Sequence, residues 1–191
     1  DTLDNYRIMA ADTIEESDRL LDMVNTMLVI SKARAGAFEF EFEMVDLSAM
    51  AERVCDLFWP LADDKGIRLE AQVEPGLWIR ADKKMFQRVL GNLLDNAVKY
   101  TPAGGQITLT ASAERGRAVV GVQDSGPGIA PGLHEKIFKR FFRADSSRTS
   151  QGTGLGLSLV KTIVSRHKGR VWAEDGEVQG ARLVLSLPTC N

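Results

Sequence analysis

The stretch NLLDNAVKYTP (92–102) sets Asn92 and Asn96 four residues apart among Leu90, Leu93, Leu94, Ala97 and Val98. Asn is a poor helix former, because its amide competes with the backbone for hydrogen bonds. Positions 92, 96 and 99 recur at helical spacing, so both amides and Lys99 share a face, with Tyr100 beside it. An amide oxygen is a hard, neutral ligand suited to Mg²⁺, which takes few protein groups and completes its shell with phosphate and water. Lys99 supplies a point charge for phosphate and Tyr100 an aromatic surface for a base or sugar. The competing reading is a polar stripe on a half-exposed helix.

Two glycine-rich strings follow. In DSGPGIAP (124–131), Asp124 ends a predicted strand, where its carboxylate could accept a hydrogen bond from an exocyclic amine such as adenine N6. Gly126 and Gly128 permit backbone angles and close approaches that other residues forbid, although the string alone also fits an ordinary turn. In GTGLGLSLVKTIV (152–164), Gly152, Gly154 and Gly156 directly precede a predicted helix. Bare N–H groups at such an end make an anion site able to hold a polyphosphate. The string lacks the lysine of a P-loop and no parallel βαβ unit surrounds it, which argues against a Rossmann site.

The elements that must position these groups are legible from periodicity. Residues 1–35 contain neither Gly nor Pro and read as one long helix ended by Gly36. Ala10, Ile14, Ser17, Leu21, Val24, Leu28 and Ser31 form a heptad seam, which predicts a dimerising or bundle helix rather than one lying on its own domain. An extended piece at 38–45 precedes a helix capped by Asp46 or Ser48 and running to about Lys65. Alternating segments at 67–73 and 77–81 lead into a helix over 83–100. A hairpin of 106–112 and 118–123, a helix to about Lys168 and strands at 170–174 and 181–187 complete the chain. The expected fold is an α/β two-layer sandwich: three helices on a mixed, mostly antiparallel sheet, preceded by one long N-terminal helix. It is not doubly wound, since strands come in consecutive pairs rather than strict βαβ alternation.

Composition sets the outer bounds. With 191 residues, 44% hydrophobic and 26% charged, the chain suits one medium domain or a small domain plus an appendage. A net charge of −2 provides no field to recruit nucleic acid or anionic membrane. Cys55 and Cys190 are far apart without ligand-like neighbours, which fits reduced thiols in a cytoplasmic chain. The sequence contains no apolar run long enough to span a bilayer and no stretch patterned like a signal peptide, so neither is expected within it. Because the chain opens at Asp1 inside an apparent helix, it reads as a fragment of something longer.

The Asn–Asn helix, then DSGPG, then the phenylalanine-rich IFKRFFRAD (137–145), then GTGLG opening a helix stand in an order of their own. From about Asp46 to Pro188 the chain resembles the catalytic ATP-binding domain of bacterial sensor histidine kinases of two-component systems, in the GHKL ATPase superfamily. The closing ARLVLSLP resembles that family's last strand, and DRLLDMVNTMLVISKARAG (18–36) the second helix of its dimerisation and phosphotransfer hairpin. The resemblance implies part of that hairpin at 1–36, a linker at 37–45 and the catalytic domain at 46–191. It implies ATP and Mg²⁺ as cofactors. Asn96 would ligate the metal, Asn92 and Lys99 would contact phosphate, Tyr100 would lie near the base and Asp124 would bind adenine N6. Gly126, Gly128 and Ile129 would begin a mobile lid spanning about 130–152, anchored by Phe138, Phe141 and Phe142, with Arg140 and Arg143 reaching phosphate. Gly152, Thr153, Gly154, Leu155, Gly156 and Leu157 would meet the triphosphate, and Asn92, Lys99 and Arg140 would carry the catalysis. Both amides would then serve nucleotide rather than the fold. Ser125, Lys139 and Gln151 depart from the family's frequent Asn, Glu and Gly.

By the same resemblance the expected activity is transfer of the γ-phosphoryl group to a histidine on a helix upstream of Asp1, and onward to a response regulator receiver domain. The parent would be a homodimer anchored in the bacterial inner membrane, with no nucleic-acid partner. Hydrolysing relatives typically carry a Glu at the position of Asn92, and Asn is no useful general base, which favours transfer over hydrolysis. The only histidines, His134 and His167, are expected to be structural, the latter in a cationic or capping role at a helix end. A GHKL hydrolase or serine kinase and a nucleotide-binding scaffold without catalysis remain the alternatives.

Overall fold

The computed structural model describes residues 2–143, 152–176 and 179–189. Gln151, Cys190 and the 144–151 part of the expected lid lie outside the described residues. The order is α1 (Thr2–Arg34), β1 (Phe42–Asp46), α2 (Leu47–Asp64), β2 (Arg68–Val73), β3 (Trp78–Asp82), α3 (Lys83–Tyr100), β4 (Gln106–Glu114), β5 (Arg117–Asp124), two short 3₁₀ turns, α4 (Gly156–Arg166), β6 (Arg170–Asp175) and β7 (Ala181–Pro188).

Helix α1 presents two faces with different fates. Met23, Thr26, Ile30 and Ala33 step at three and four residues and pack toward the domain. The heptad residues Ile14, Leu21, Val24 and Leu28 stay exposed. The helix therefore lies on its own domain by its C-terminal half, while the seam points away from it.

Two aspartates start the central helices. Asp46 Oδ1 accepts from Ala49 N at 3.0 Å and caps α2. Ser48, the other candidate cap, instead donates to Glu74 O (2.7 Å) and accepts from Leu77 N (3.0 Å), tying the β2–β3 turn to the helix. Asp82 Oδ1 accepts from Met85 N at 3.0 Å and caps α3.

The main sheet has the order β2-β4-β5-β7-β6, with β2 and β4 parallel and the other pairs antiparallel. A parallel pair needs a long crossover, and β3 with α3 supplies it. The expectation of consecutive strand pairs fails at one place: β3 does not pair with β2. It leaves the sheet to pair with β1 (Val45 opposite Ile79), and Ile79 bridges to Thr189. Of the piece expected to be extended at 38–45, only the part from Phe42 onward is strand.

Alternate residues of β4 and β5 and most residues of β7, including Leu109, Val120 and Leu185, are buried with the inner faces of α2, α3 and α4 in one continuous core. Cys55 on α2 belongs to this core, where burial and the neighbouring Asp56 push its thiol up to about 11. A thiol held in its protonated form is a poor nucleophile. Native protein at about pH 8 is therefore expected to leave Cys55 unmodified by iodoacetamide, and denaturant to expose it. Peptide mass mapping before and after unfolding checks this.

Candidate nucleotide-binding site

A cleft of about 620 Å³ opens where one face of α3, the end of β5 and the approach to α4 converge. Asn92, Asn96, Lys99, Tyr100, Asp124, Gly128 and Ile129 line it on one side. Arg143, Gly152, Thr153, Gly154, Gly156 and Leu157 face them. Other expected site residues lie outside the wall. Phe138 is only 4% exposed and Leu155 is buried in the core. Gly126 packs beneath the wall, where an added Cβ would sit 2.7 Å from Tyr100 O. Arg140 is partly buried, its Nε enclosed and without a hydrogen-bond partner among the described residues.

The asparagine amides divide their work between fold and cleft. Asn92 Nδ2 donates to Arg88 O and Asn96 Nδ2 to Asn92 O, each at 2.7 Å. These bonds back along α3 lock both side chains, so the nitrogens serve the helix, contrary to the expectation that both amides serve ligand alone. Each amide is left with its oxygen. Asn92 Oδ1 lies against Gly156, where a Cβ would approach to 2.5 Å. A Cβ on Gly152 would collide with Lys99 Nζ. Glycine lets the chain pass this close to α3 at position 156, where the Asn92 side chain is held by its bond to Arg88 O, whereas at position 152 the end of the flexible Lys99 side chain could move aside. Lys99 Nζ also lies 5.4 Å from the Tyr100 ring centroid. The turn carrying both residues is held by Lys65, which donates to Val98 O at 2.7 Å and Lys99 O at 3.1 Å.

Helix α4 begins without a side-chain cap. Its first N–H groups have no partner within the helix, which leaves partial positive charge at the cleft. Gly154, at φ +68°, permits the approach of the 141–142 backbone, and Phe141 N donates to its carbonyl at 2.9 Å. At the other end, Asp124 Oδ1 accepts from Gly126 N (2.8 Å) and Ala181 N (3.4 Å). Burial raises the Asp124 carboxyl above its ordinary range and these two bonds oppose it. The second oxygen has no partner among the described residues. Among those residues no group of three His, Cys, Asp or Glu could hold a metal ion. A divalent cation here would depend on amide oxygen and on the ligand's own phosphates, a donor set that suits Mg²⁺.

The family described as histidine kinase-, DNA gyrase B- and HSP90-like ATPase matches residues 81–191. The chain belongs to this ATPase family. Within it, it is a GHKL sensor histidine kinase ATP-binding domain. The sensor protein IrlS of Burkholderia pseudomallei (strain K96243) is 34% identical across 88% of this chain and 36% of its own length. The sensor histidine kinase CusS of Escherichia coli (strain K12) is 37% identical across 92% of this chain, which again spans 36% of that relative. Among solved structures, the catalytic domain of histidine kinase ThkA is 32% identical with a TM-score of 0.71, over 78% of this chain and 96% of its own. Full-length ShkA in complex with AMPPNP is 35% identical with a TM-score of 0.82, over 93% of this chain and 37% of its own. These likenesses bear out the expected α/β sandwich and its long leading helix.

The histidine kinase domain also brings to the cleft residues that its sequence did not single out. Asp95 lines it, its carboxyl raised by desolvation and drawn back by Lys99 four residues on. That spacing was a usable signal. Asp22 of α1 also lines it and pairs with Arg88 at 3.2 Å, while Arg88 donates to Thr26 at 2.5 Å. No local pattern announces a contact between such distant helices. Ala181 and Leu183 enter from β7, and Leu133 and Ile137 from the turns after Ala130. Ser125, standing for a frequent Asn, accepts from Gln106 N at 2.8 Å and closes the end of the β4–β5 pair. His134 approaches Ile129 O (3.0 Å) and Asp175 (3.4 Å), a structural position. Among the described residues no helix is long and apolar enough to cross a membrane.

Proposed function

We propose that this chain binds Mg·ATP and passes the γ-phosphoryl group to a histidine on another helix, for onward transfer to a response regulator receiver domain. One observation carries the reading: the Asn92 amide oxygen and the Lys99 ammonium lie against bare glycine backbone, with Asn96 lining the same nucleotide-sized cleft beside an uncapped helix N-terminus. Polyphosphate fits between a cation and unpaired N–H groups, and Asp124 with Tyr100 suits an adenine base. Bound through the Asn96 oxygen and the phosphates, Mg²⁺ would neutralise charge on the transferred group. Lys99 and the α4 N–H groups hold the chain of phosphates in line, and Asn92 fixes its outer end. Arg140 and Arg143 add positive charge from the lid side. Gly126, Phe138 and Leu155 act from beneath by holding the lid root and α4 in place.

Neutral imidazole is itself nucleophilic, so transfer asks the domain for position and charge rather than for a base. Asn92 cannot take a proton from water, which favours transfer over hydrolysis. In this reading residues 1–36 are the second hairpin helix, 37–45 the linker and 46–191 the catalytic domain of a longer dimeric sensor, on its cytoplasmic side. The exposed seam of α1 suits a helical partner.

The test supplies the upstream hairpin helix, fused in frame or as a peptide, with γ-labelled ATP and Mg²⁺. The expected product is an acid-labile, alkali-stable label on the added helix. Released phosphate without label would establish a hydrolase instead, and neither product with intact ATP binding would leave a scaffold.

A further inference from the structure

His167 follows the last turn of α4, is 4% exposed, and has both ring nitrogens engaged. Nδ1 lies 2.8 Å from Ile163 O, and Nε2 lies 2.9 Å from Asp82 N. A carbonyl can only accept and a backbone N–H can only donate, so the proton sits on Nδ1 and the lone pair on Nε2. Asp82 is the residue that caps α3, and its Oδ2 accepts from Glu41 N at 3.1 Å. Phe40, Phe42 and Phe86 surround the ring, with centroids at 5.5, 4.9 and 6.0 Å. One imidazole thus joins the end of α4, the start of α3 and the segment arriving from α1.

Those two helices form facing walls of the cleft, and the fit between them is tight at Asn92 and Gly156. We propose that His167 is a positioning residue for nucleotide: its neutral ring holds the cap of α3 to the end of α4, and so keeps the asparagine face in register with the glycine rim. This rests on the nucleotide reading of the cleft. A second proton would replace the Nε2 lone pair with an N–H aimed at the N–H of Asp82, two donors in conflict. The joint then opens and ATP binds more weakly.

Burial lowers the pKa of His167 from its usual 6.5, while the bond to Ile163 and the Asp82 charge oppose the shift. Asp82 cannot readily turn to rescue a cation, because both its oxygens already accept backbone N–H groups. The charged side chains nearest the ring on the surrounding elements are exposed: Glu39, Glu41 and Glu43 on the incoming segment, Arg80 on β3, Lys83 and Lys84 on α3, and Arg166 and Lys168 beside the ring's own helix end; Asp46 on β1 and Arg88 on α3 are half-buried further along their elements. The sign follows. With the folded value below the unfolded one, the contribution to stability is whole above pH 6.5 and is lost as pH falls through the folded value.

The test compares the chain with His167→Gln and His167→Phe. Gln can accept from Asp82 and donate to Ile163 without titrating, and Phe keeps the ring volume without either bond. Mg·ATP affinity is measured by calorimetry from about pH 7.5 to 5.5, a window around the ordinary histidine value. His167→Phe is expected to bind about tenfold more weakly at the upper end, from two lost hydrogen bonds. His167→Gln is expected to bind as the parent there and to lose less affinity on acidification, the difference cancelling the titration of ATP itself. Parental affinity in a folded His167→Phe, or parallel profiles for parent and His167→Gln, would overturn the proposal. If the Phe variant does not fold, the Gln comparison decides alone. No ATP binding by the parent would instead overturn the reading of the cleft, and this inference with it.

Discussion

Replacing Asp124 by Asn is expected to weaken ATP binding by about a hundredfold while leaving the domain at least as stable as before. The oxygen that accepts from Gly126 N and Ala181 N has an equivalent in Asn, so the turn after β5 keeps its bonds. The other oxygen becomes an NH₂ group and would face the exocyclic amine of adenine, donor against donor. A site built to accept a hydrogen bond discriminates strongly once its acceptor is lost. Inosine triphosphate, which carries an acceptor in place of that amine, is expected to lose far less, so the preference between the two nucleotides inverts.

The stability arm has its own sign. The folded pKa of Asp124 is raised, so the native chain holds this proton more tightly than the unfolded chain. Stability from that source is present below the unfolded value and is lost as pH rises through the folded one. At neutral pH the half-buried carboxylate is therefore a liability that Asn lacks. Calorimetric titration with both nucleotides, with thermal unfolding alongside, checks the pair. An unchanged ratio of ATP to inosine triphosphate affinity would show that Asp124 does not face the base.

How much of this was legible depends on whether a feature is local. Asn92, Asn96 and Lys99 share a face because of helical spacing alone, whatever the helix packs on. Asp124 and the three glycines of the α4 rim could be read because they stand at element ends, where backbone is bare. Long-range features were not legible. The alternation at 78–82 reads the same whether β3 joins the main sheet or pairs with β1, and the choice rests on β1 and on Thr189. The heptad in α1 shows one apolar face, but the face that docks uses Thr26 and Ala33, which carry little hydrophobic signal. IFKRFF has no clear period, so nothing local separates the buried Phe138 from the exposed Phe141, at φ +59°. His167 beside Lys168 and Gly169 reads as a cationic cap. It does cap Ile163, yet three rings that arrive from elsewhere keep it neutral.

Asn96→Asp opposes two effects at one atom, and their sizes decide the result. A carboxylate is a stronger ligand for Mg²⁺ than an amide oxygen, which taken alone predicts tighter binding. The amide nitrogen, however, donates to Asn92 O at 2.7 Å, and a carboxylate sets two acceptors against each other there. An acceptor conflict in a half-buried site costs about 1–3 kcal/mol and pushes the side chain away from its present rotamer. The new charge also joins Asp22, Asp95 and Asp124 on the cleft wall. One added charge about 5 Å from a ligand of net charge near −2 costs several kcal/mol at an effective dielectric of about 20. Since Mg·ATP is a net anion, metal attraction offsets this only in part. Affinity for Mg·ATP is therefore expected to fall at least about a hundredfold, and affinity for ATP in the presence of chelator to fall further. Circular dichroism should remain that of the parent, because the backbone bonds of α3 do not depend on this side chain. Asn96→Ala separates the terms, removing the ligand atom without adding charge, and is expected to bind more weakly than the parent yet better than the Asp variant when metal is chelated. Parental affinity in both variants, measured with and without Mg²⁺, would remove Asn96 from the nucleotide site.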